Sequence, residues 1–79
     1  MSEELEILEN FEKDNRFLAK QFGFLQEHYP DNYVVIDKEQ VIEVDPDFTN
    51  LIVKLRAKGI DPGLVLIEFV PRAGSIILY

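Results

Sequence analysis

Between residues 33 and 79, four short apolar runs rich in β-branched residues lie on either side of one well-capped helix. Turn-forming residues separate the runs, as expected for strands. We predict that Asp45 caps the helix, that Pro46 occupies its first turn and that Gly59 takes the left-handed position after it. The order strand–strand–helix–strand–strand predicts an α+β fold. The predicted strands are 33–37, 41–45, 64–70 and 75–79, and the predicted helix is 46–58.

Two hairpins joined by a helix predict a four-stranded, mainly antiparallel sheet. We favour the strand order 2-1-3-4, with both helices on one face; the order 1-2-3-4, with strands 2 and 3 parallel, is the alternative. The run 64–70 is almost wholly apolar, which predicts a central strand covered on both faces. Lys38-Glu39-Gln40 contains no glycine, so we expect a longer, bulged loop there and not a tight type I′ turn.

A long amino-terminal helix is predicted before the sheet, starting after Ser2 as the N-cap and ending near His28, because Tyr29 precedes Pro30. Asn15 interrupts its apolar stripe. Either the helix breaks there or Asn15 is a buried polar group; we expect a continuous but locally weakened helix. We predict that residues 1–79 form one domain, with helix 1–29 packed on core 33–79. The stripe contains Ile7, Leu8, Phe11, Leu18, Phe22, Leu25 and Tyr29.

A second face of this helix carries two aromatic residues away from the apolar stripe. Clustered exposed apolar residues often mark an interface, so one hypothesis is a contact with a protein partner or with a second copy of the chain. The alternative is that the edge of the core covers both rings. The residues of this predicted interface are Phe17, Gln21, Phe24 and His28.

The chain is acidic, with fifteen acidic residues against eight basic ones and a net charge of −7. This sign disfavours nucleic-acid binding, which normally needs a basic surface. Residues 1–14 hold six carboxylates and one lysine, hence most of the excess. Acids also favour a helix amino terminus, so this cluster is either structural or a docking surface for a basic partner. The predicted docking residues are Glu3, Glu6, Glu9 and Glu12.

No residue pattern predicts catalysis. The chain has no cysteine and one histidine, His28, so thiolate or histidine-based metal sites are not expected. The segment starting at Glu43 resembles a calcium loop only superficially, because Asn50 and Arg56 stand where such a loop needs glycine and glutamate. The four glycines are dispersed, so no loop is expected to cradle a phosphate. We predict a protein that is not an enzyme and needs no cofactor or metal.

The expected setting is the cytoplasm. The amino terminus lacks the features of a signal peptide, and no apolar run reaches the roughly 20 residues needed to span a bilayer. These features predict a small interaction module without catalytic activity, whose partner is a protein or a second copy of itself. The alternative function is an antitoxin-like or inhibitor-like protein that binds a basic partner through its acidic first helix.

Several short motifs, in this order and spacing, resemble a family of short archaeal and bacterial proteins known as a domain of unknown function. The resemblance covers most of residues 9–79 and implies a fold and a prokaryotic origin, but no catalytic residues. The motifs are Glu9-Asn10-Phe11, Tyr29-Pro30, Tyr33-Val34-Val35-Ile36, Val41-Ile42, the acidic helix start at Asp45–Asp47, and Gly59-Ile60-Asp61-Pro62 leading into 65–71.

Overall fold

The computed structural model describes residues 3–74, with side chains from residue 5 onward. The predicted N-cap Ser2 and the predicted strand 75–79 therefore lie outside the described residues. The elements are α1 (Glu3–His28), β1 (Asn32–Asp37), β2 (Gln40–Asp45), α2 (Phe48–Ala57), a 3-10 turn (Pro62–Leu64) and β3 (Leu66–Val70).

Helix α1 runs without interruption through Asn15, which confirms the expected continuity. The Asn15 side chain is exposed, and its Nδ2 donates a hydrogen bond to the carbonyl oxygen of Phe11, 2.9 Å away. This bond to the preceding turn satisfies the amide within the helix. Asn15 is therefore neither a helix break nor a buried polar group.

The sheet differs from the predicted one. Three antiparallel strands in the order β2-β1-β3 form it in the part of the chain that is described, so the prediction of four strands is wrong. Among the described strands the central one is β1, and the apolar run 64–70 contributes β3 beside it. That run is shorter as a strand than expected because Pro62–Leu64 forms a 3-10 turn, in which Asp61 Oδ1 accepts the Gly63 N–H over 2.9 Å.

The two helices lie on opposite faces of the sheet, which overturns the prediction of one face. Val34 and Ile36 of β1 pack with Leu25 of α1, whereas Val35 packs with Leu51 of α2. Successive side chains of a strand point to opposite faces, and all three of these β1 residues are fully buried. Both faces of the central strand must therefore be packed against other elements. Helix α2 covers one face as it carries the chain from β2 across β1 to β3, and α1 covers the other.

The β1–β2 connection is a tight turn, so the prediction of a longer loop is wrong. Asp37 pairs with Gln40, leaving Lys38 and Glu39 as a two-residue loop with φ angles of 50° and 59°. Two consecutive positive φ angles are the mark of a type I′ turn. The irregularity lies instead within the hairpin, where the register shifts between Val35 and Ile36.

The amino-terminal cap of α2 is Asp47, two residues later than predicted. Its carboxylate accepts the N–H groups of Thr49 at 2.8 Å and Asn50 at 3.3 Å. Pro46 consequently precedes the cap, and Asp45 has a different role described below. The predicted carboxyl end is confirmed: Gly59 has φ of 75°, and the Ile60 N–H bonds the Leu55 carbonyl at 2.9 Å, as in a Schellman motif.

Candidate interaction surfaces

Helix α1 is longer than the sheet on which it packs. Its 26 residues extend for about 39 Å at 1.5 Å per residue, whereas strands of five or six residues extend for roughly 20 Å. The carboxyl-terminal half is anchored by Leu25, which is fully buried. In residues 5–13, by contrast, no side chain is buried. We call residues 5–13 the overhang.

The apolar stripe of α1 continues along the overhang, where its residues are less buried than those packed on the sheet. Leu18 and Leu25 belong to the core against the sheet. About two to three turns before Leu18, Ile7 and Phe11 on the same side of the helix are only half-buried, and Leu8 beside them is 61% exposed. We call these three residues the overhang stripe. The stripe was visible in the sequence, but its loss of cover depends on where the sheet ends.

The predicted acidic docking residues lie mainly on the side of α1 away from this stripe. Glu6 and Glu9 are exposed, and neither carboxylate has an ion-pair partner among the described residues. Glu12 pairs with Arg16 at 3.6 Å in an exposed i,i+4 arrangement, which contributes little to stability. The side chain of Glu3 lies outside the described residues. Of these carboxylates only Glu12 lies beside the stripe, whereas Glu6 and Glu9 lie on the opposite side of the overhang.

The four residues of the predicted aromatic interface divide into two groups. Phe17 is half-buried and packs against the core cluster that contains Leu25. Phe24 is 52% exposed, and its ring centroid lies 4.1 Å from that of His28, one turn later. Gln21 and His28 are exposed. Phe17 is therefore covered by the core, as the alternative expected, whereas Gln21, Phe24 and His28 lie at the surface and an interface there stays a prediction.

A further aromatic cluster on the α2 face was not identified from the sequence. The ring centroid of Tyr33 lies 5.3 Å from Phe48 and 5.0 Å from Phe69, both in edge-to-face geometry. Phe48 and Phe69 are nearly half exposed. The cluster forms because β1 and β3 pair Tyr33 opposite Phe69. Tyr33 and Phe69 are 36 residues apart in the sequence, so no local sequence pattern indicates the cluster.

An ion-pair network ties α2 to β2 beside this cluster. Lys54 Nζ lies 2.8 Å from Asp45 Oδ2, and Lys58 Nζ lies 2.6 Å from Glu43 Oε2. The bond from Lys58, followed by the Val44 N–H, lowers the pKa of Glu43; the bond from Lys54, followed by the Asp47 N–H, lowers the pKa of Asp45. Asp45 in turn raises the pKa of Lys54. These groups are paired with each other, which indicates a structural role.

The depression at the end of α2 offers no catalytic arrangement. It is open, has a volume of about 480 Å³, and brings the side chains of Arg56 and Asp61 to one rim. Asp61 is engaged with its own turn through Gly63. Within residues 3–74, no group of three or more histidine, cysteine, aspartate or glutamate residues is arranged to hold a metal ion. None of the described helices has the length and apolar character needed to cross a membrane.

These observations define the class as a small α+β domain, in which a three-stranded antiparallel sheet lies between a long acidic helix and a short one. The chain belongs to a family of unknown function, DUF5678, whose model matches residues 25–73. The match contains the sheet and α2 but begins at Leu25, so it leaves the overhang outside. No curated protein and no solved structure matches the chain.

Proposed function

We propose that this chain is a small interaction module without catalytic activity, which binds a protein partner through α1 in a prokaryotic cytoplasm. The overhang stripe carries this proposal, because Leu8 is 61% exposed and Ile7 and Phe11 beside it are only partly buried. Clustered exposed apolar residues on a small domain are characteristic of binding surfaces. The resemblance to archaeal and bacterial proteins supports the origin, and the composition without cysteine is compatible with the location.

Helix geometry favours binding through this surface. Apolar positions at i, i+1 and i+4 form a strip that a groove or a second helix can contact. The anchored half of α1 holds the strip in position, because Leu25 is fixed in the core. A partner therefore meets a preformed helix, and little conformational entropy is lost on binding.

Affinity capture with matched variants tests the proposal. The tagged full chain, its Leu8→Glu variant and its Val53→Glu variant are compared with the tag alone. Val53 is a suitable control because it is an apolar residue of similar exposure, 59%, on α2. We expect a specific partner to be retained by the parent and the Val53 variant but lost from the Leu8 variant. An identical set of proteins on all four columns would refute the proposal.

An antitoxin-like or inhibitor-like role is the second candidate. Its support is the pair of carboxylates of Glu6 and Glu9, which are exposed and have no cationic partner among the described residues. Such a role requires that the captured partner be basic and that adding the chain suppress its activity or toxicity. A partner whose activity is unchanged by a saturating amount of the chain rules this role out.

Self-association through Phe24 and His28 is the third arrangement to test. The exposed ring pair supports it, because aromatic side chains are enriched at interfaces. Light scattering after size exclusion separates the cases. A dimer that Phe24→Ser converts to a monomer supports this contact, whereas a monomer at all concentrations excludes it.

A further inference from the structure

Strand β2 lies at an edge of the described sheet, because β1 is its only strand neighbour among residues 3–74. An edge strand presents backbone N–H and C=O groups to which a strand of another molecule can add. We infer that Glu43 and Lys54 close this edge, so that a strand of a second copy of the chain cannot pair with β2. This inference goes beyond the proposed function, which depends on α1.

Val44 carries the two backbone groups on which the inference depends. In an antiparallel pair, a residue directs both its N–H and its C=O either to the partner strand or away from it. Val44 lies opposite Val34 of β1, but side chains bond both of its groups. Its N–H donates to Glu43 Oε1 over 3.2 Å, and its carbonyl oxygen accepts from Lys54 Nζ over 3.3 Å. These groups therefore face the outer edge, and both are occupied.

Ion pairs hold the two capping side chains in position. Glu43 Oε2 accepts from Lys58 Nζ at 2.6 Å, and Lys54 Nζ lies 2.8 Å from Asp45 Oδ2. The Glu43 side chain is only 17% exposed. A strand that added at Val44 would have to displace Glu43 and Lys54 and break these pairs. The network that ties α2 to β2 therefore also makes strand addition unfavourable.

The next outward position along β2 is irregular as well. Glu43 pairs with Val35 and Val41 pairs with Ile36, so Ile42 has no partner of its own on β1. An extra residue of this kind is a β-bulge, which disrupts the ladder and increases the local twist. Bulges and charged side chains are both features by which natural edge strands avoid unwanted pairing. Two different features therefore protect the same edge.

A second copy of the chain is the strand donor against which this protection acts. Two β2 edges can pair about a twofold axis, because such an interface uses the same surface on both molecules. Without the caps, Val44 of each copy would offer a free N–H and a free C=O. With the caps in place, a partner that reaches this edge contacts side chains and does not extend the sheet.

Two double variants of equal net charge test the inference. Glu43→Thr/Lys54→Met removes both caps. Glu27→Gln/Lys58→Met also removes one acid and one lysine but leaves both bonds to Val44. Sedimentation velocity measures the molar mass over a range of protein concentrations. We expect the uncapped variant to associate at least about tenfold more tightly than the parent, and the control to behave as the parent does.

A proline substitution shows whether the association uses this edge. Val44→Pro, added to the uncapped variant, removes the outward N–H, and an edge strand tolerates proline where its N–H faces solvent. We expect this triple variant to return to the molar mass of the parent. Circular dichroism verifies that each variant is folded.

Amide hydrogen exchange tests the caps without depending on association. We expect the Val44 N–H to exchange slowly in the parent. Glu43→Thr should accelerate its exchange by about tenfold or more, whereas Glu43→Gln keeps an oxygen acceptor and should accelerate it less. Rapid exchange of the Val44 N–H in the parent would show that the cap is not formed.

Three results of the association experiment also overturn the inference. These are an uncapped variant with the molar mass of the parent at all concentrations, equal association of the control, or association that survives Val44→Pro. None of these results bears on the proposed function, which the Leu8→Glu variant tests separately.

Discussion

The carboxylate of Asp14, in the middle of α1, accepts a hydrogen bond from the backbone N–H of Glu39 at the tip of the β1–β2 hairpin, over 2.8 Å. Asp14 is only 2% exposed, so this bond is made away from bulk water. It satisfies an amide of a turn in which Lys38 and Glu39 both have positive φ. The bond fixes α1 to the tip of the hairpin at Asp14, and the overhang, residues 5–13, ends one residue before it.

Replacing Asp14 with alanine should destabilise the fold. The substitution removes the acceptor of the Glu39 N–H, and because this bond is only part-buried we expect a loss of about 0.5–1.5 kcal/mol. Urea unfolding followed by circular dichroism measures the loss. Asp14→Asn is the matched variant, because its amide oxygen can still accept the bond, and we expect a smaller loss. Equal stability of Asp14→Ala and the parent would show that the bond contributes nothing.

Introducing glycine at position 39 should stabilise the protein. Glu39 has φ of 59°, a conformation that costs a residue with a side chain about 1 kcal/mol relative to glycine, and glycine is preferred in type I′ turns. We expect a gain of about 0.5–1 kcal/mol in the free energy of unfolding. Gly63→Ala is an informative contrast, since a Cβ there meets Asp61 Oδ1 at 3.3 Å. A loss of stability in Glu39→Gly would argue against the left-handed turn.

Core truncations on the two faces should act independently. Leu25 and Leu51 are both fully buried, but they belong to separate clusters on opposite faces of the sheet. Each leucine-to-alanine change should cost about 2–5 kcal/mol. Because the two sites share no cluster, the double variant should cost nearly the sum. Strong non-additivity in chemical denaturation would place the two residues in one core and contradict the opposed helices.

The ion pair between Glu43 and Lys58 predicts that the free energy of unfolding falls in acid. Lys58 holds the pKa of Glu43 below its usual value of 4.5, so the native state binds this proton more weakly than the unfolded chain. The corresponding stability is present above pH 4.5 and is lost as the pH falls through the lower native value. Lys58→Met should therefore flatten the decline of unfolding free energy in acid. Lys20→Met, an exposed lysine without an ion pair among the described residues, should leave the decline unchanged.

The two phenylalanines of the predicted interface should respond differently to serine. Phe17 packs on the core, so Phe17→Ser should cost about 1–2 kcal/mol for the apolar area returned to water. Phe24 is exposed, so Phe24→Ser should change the free energy of unfolding by no more than about 0.5 kcal/mol. Thermal and urea unfolding of the single variants measure both effects. A greater loss for Phe24 than for Phe17 would reverse their assignment.

Local rules account for the parts of the fold that the sequence predicted. The continuity of α1, the left-handed Gly59 after α2 and the existence of strands near 33–37 and 41–45 each follow from residues within a few positions of one another. The family match over residues 25–73 likewise agrees with the predicted resemblance to a domain of unknown function. The position of Glu6, Glu9 and Glu12 on α1 also follows from the sequence alone, whereas their docking role stays a prediction.

Tertiary contacts decided the rest. The tight hairpin turn at Lys38-Glu39 contains no glycine. Its Glu39 N–H donates to Asp14, 25 positions away in sequence, and rules based on the residues of the turn alone do not predict this contact. Asp47, and not Asp45, caps α2. The Asp45 carboxylate instead accepts the Asp47 N–H and forms an ion pair with Lys54. The helices took opposite faces because β1, flanked by β2 and β3, buries side chains on both sides. Hydrophobic spacing shows which side of a helix is apolar, but only the extent of the sheet determines how much of that side is covered.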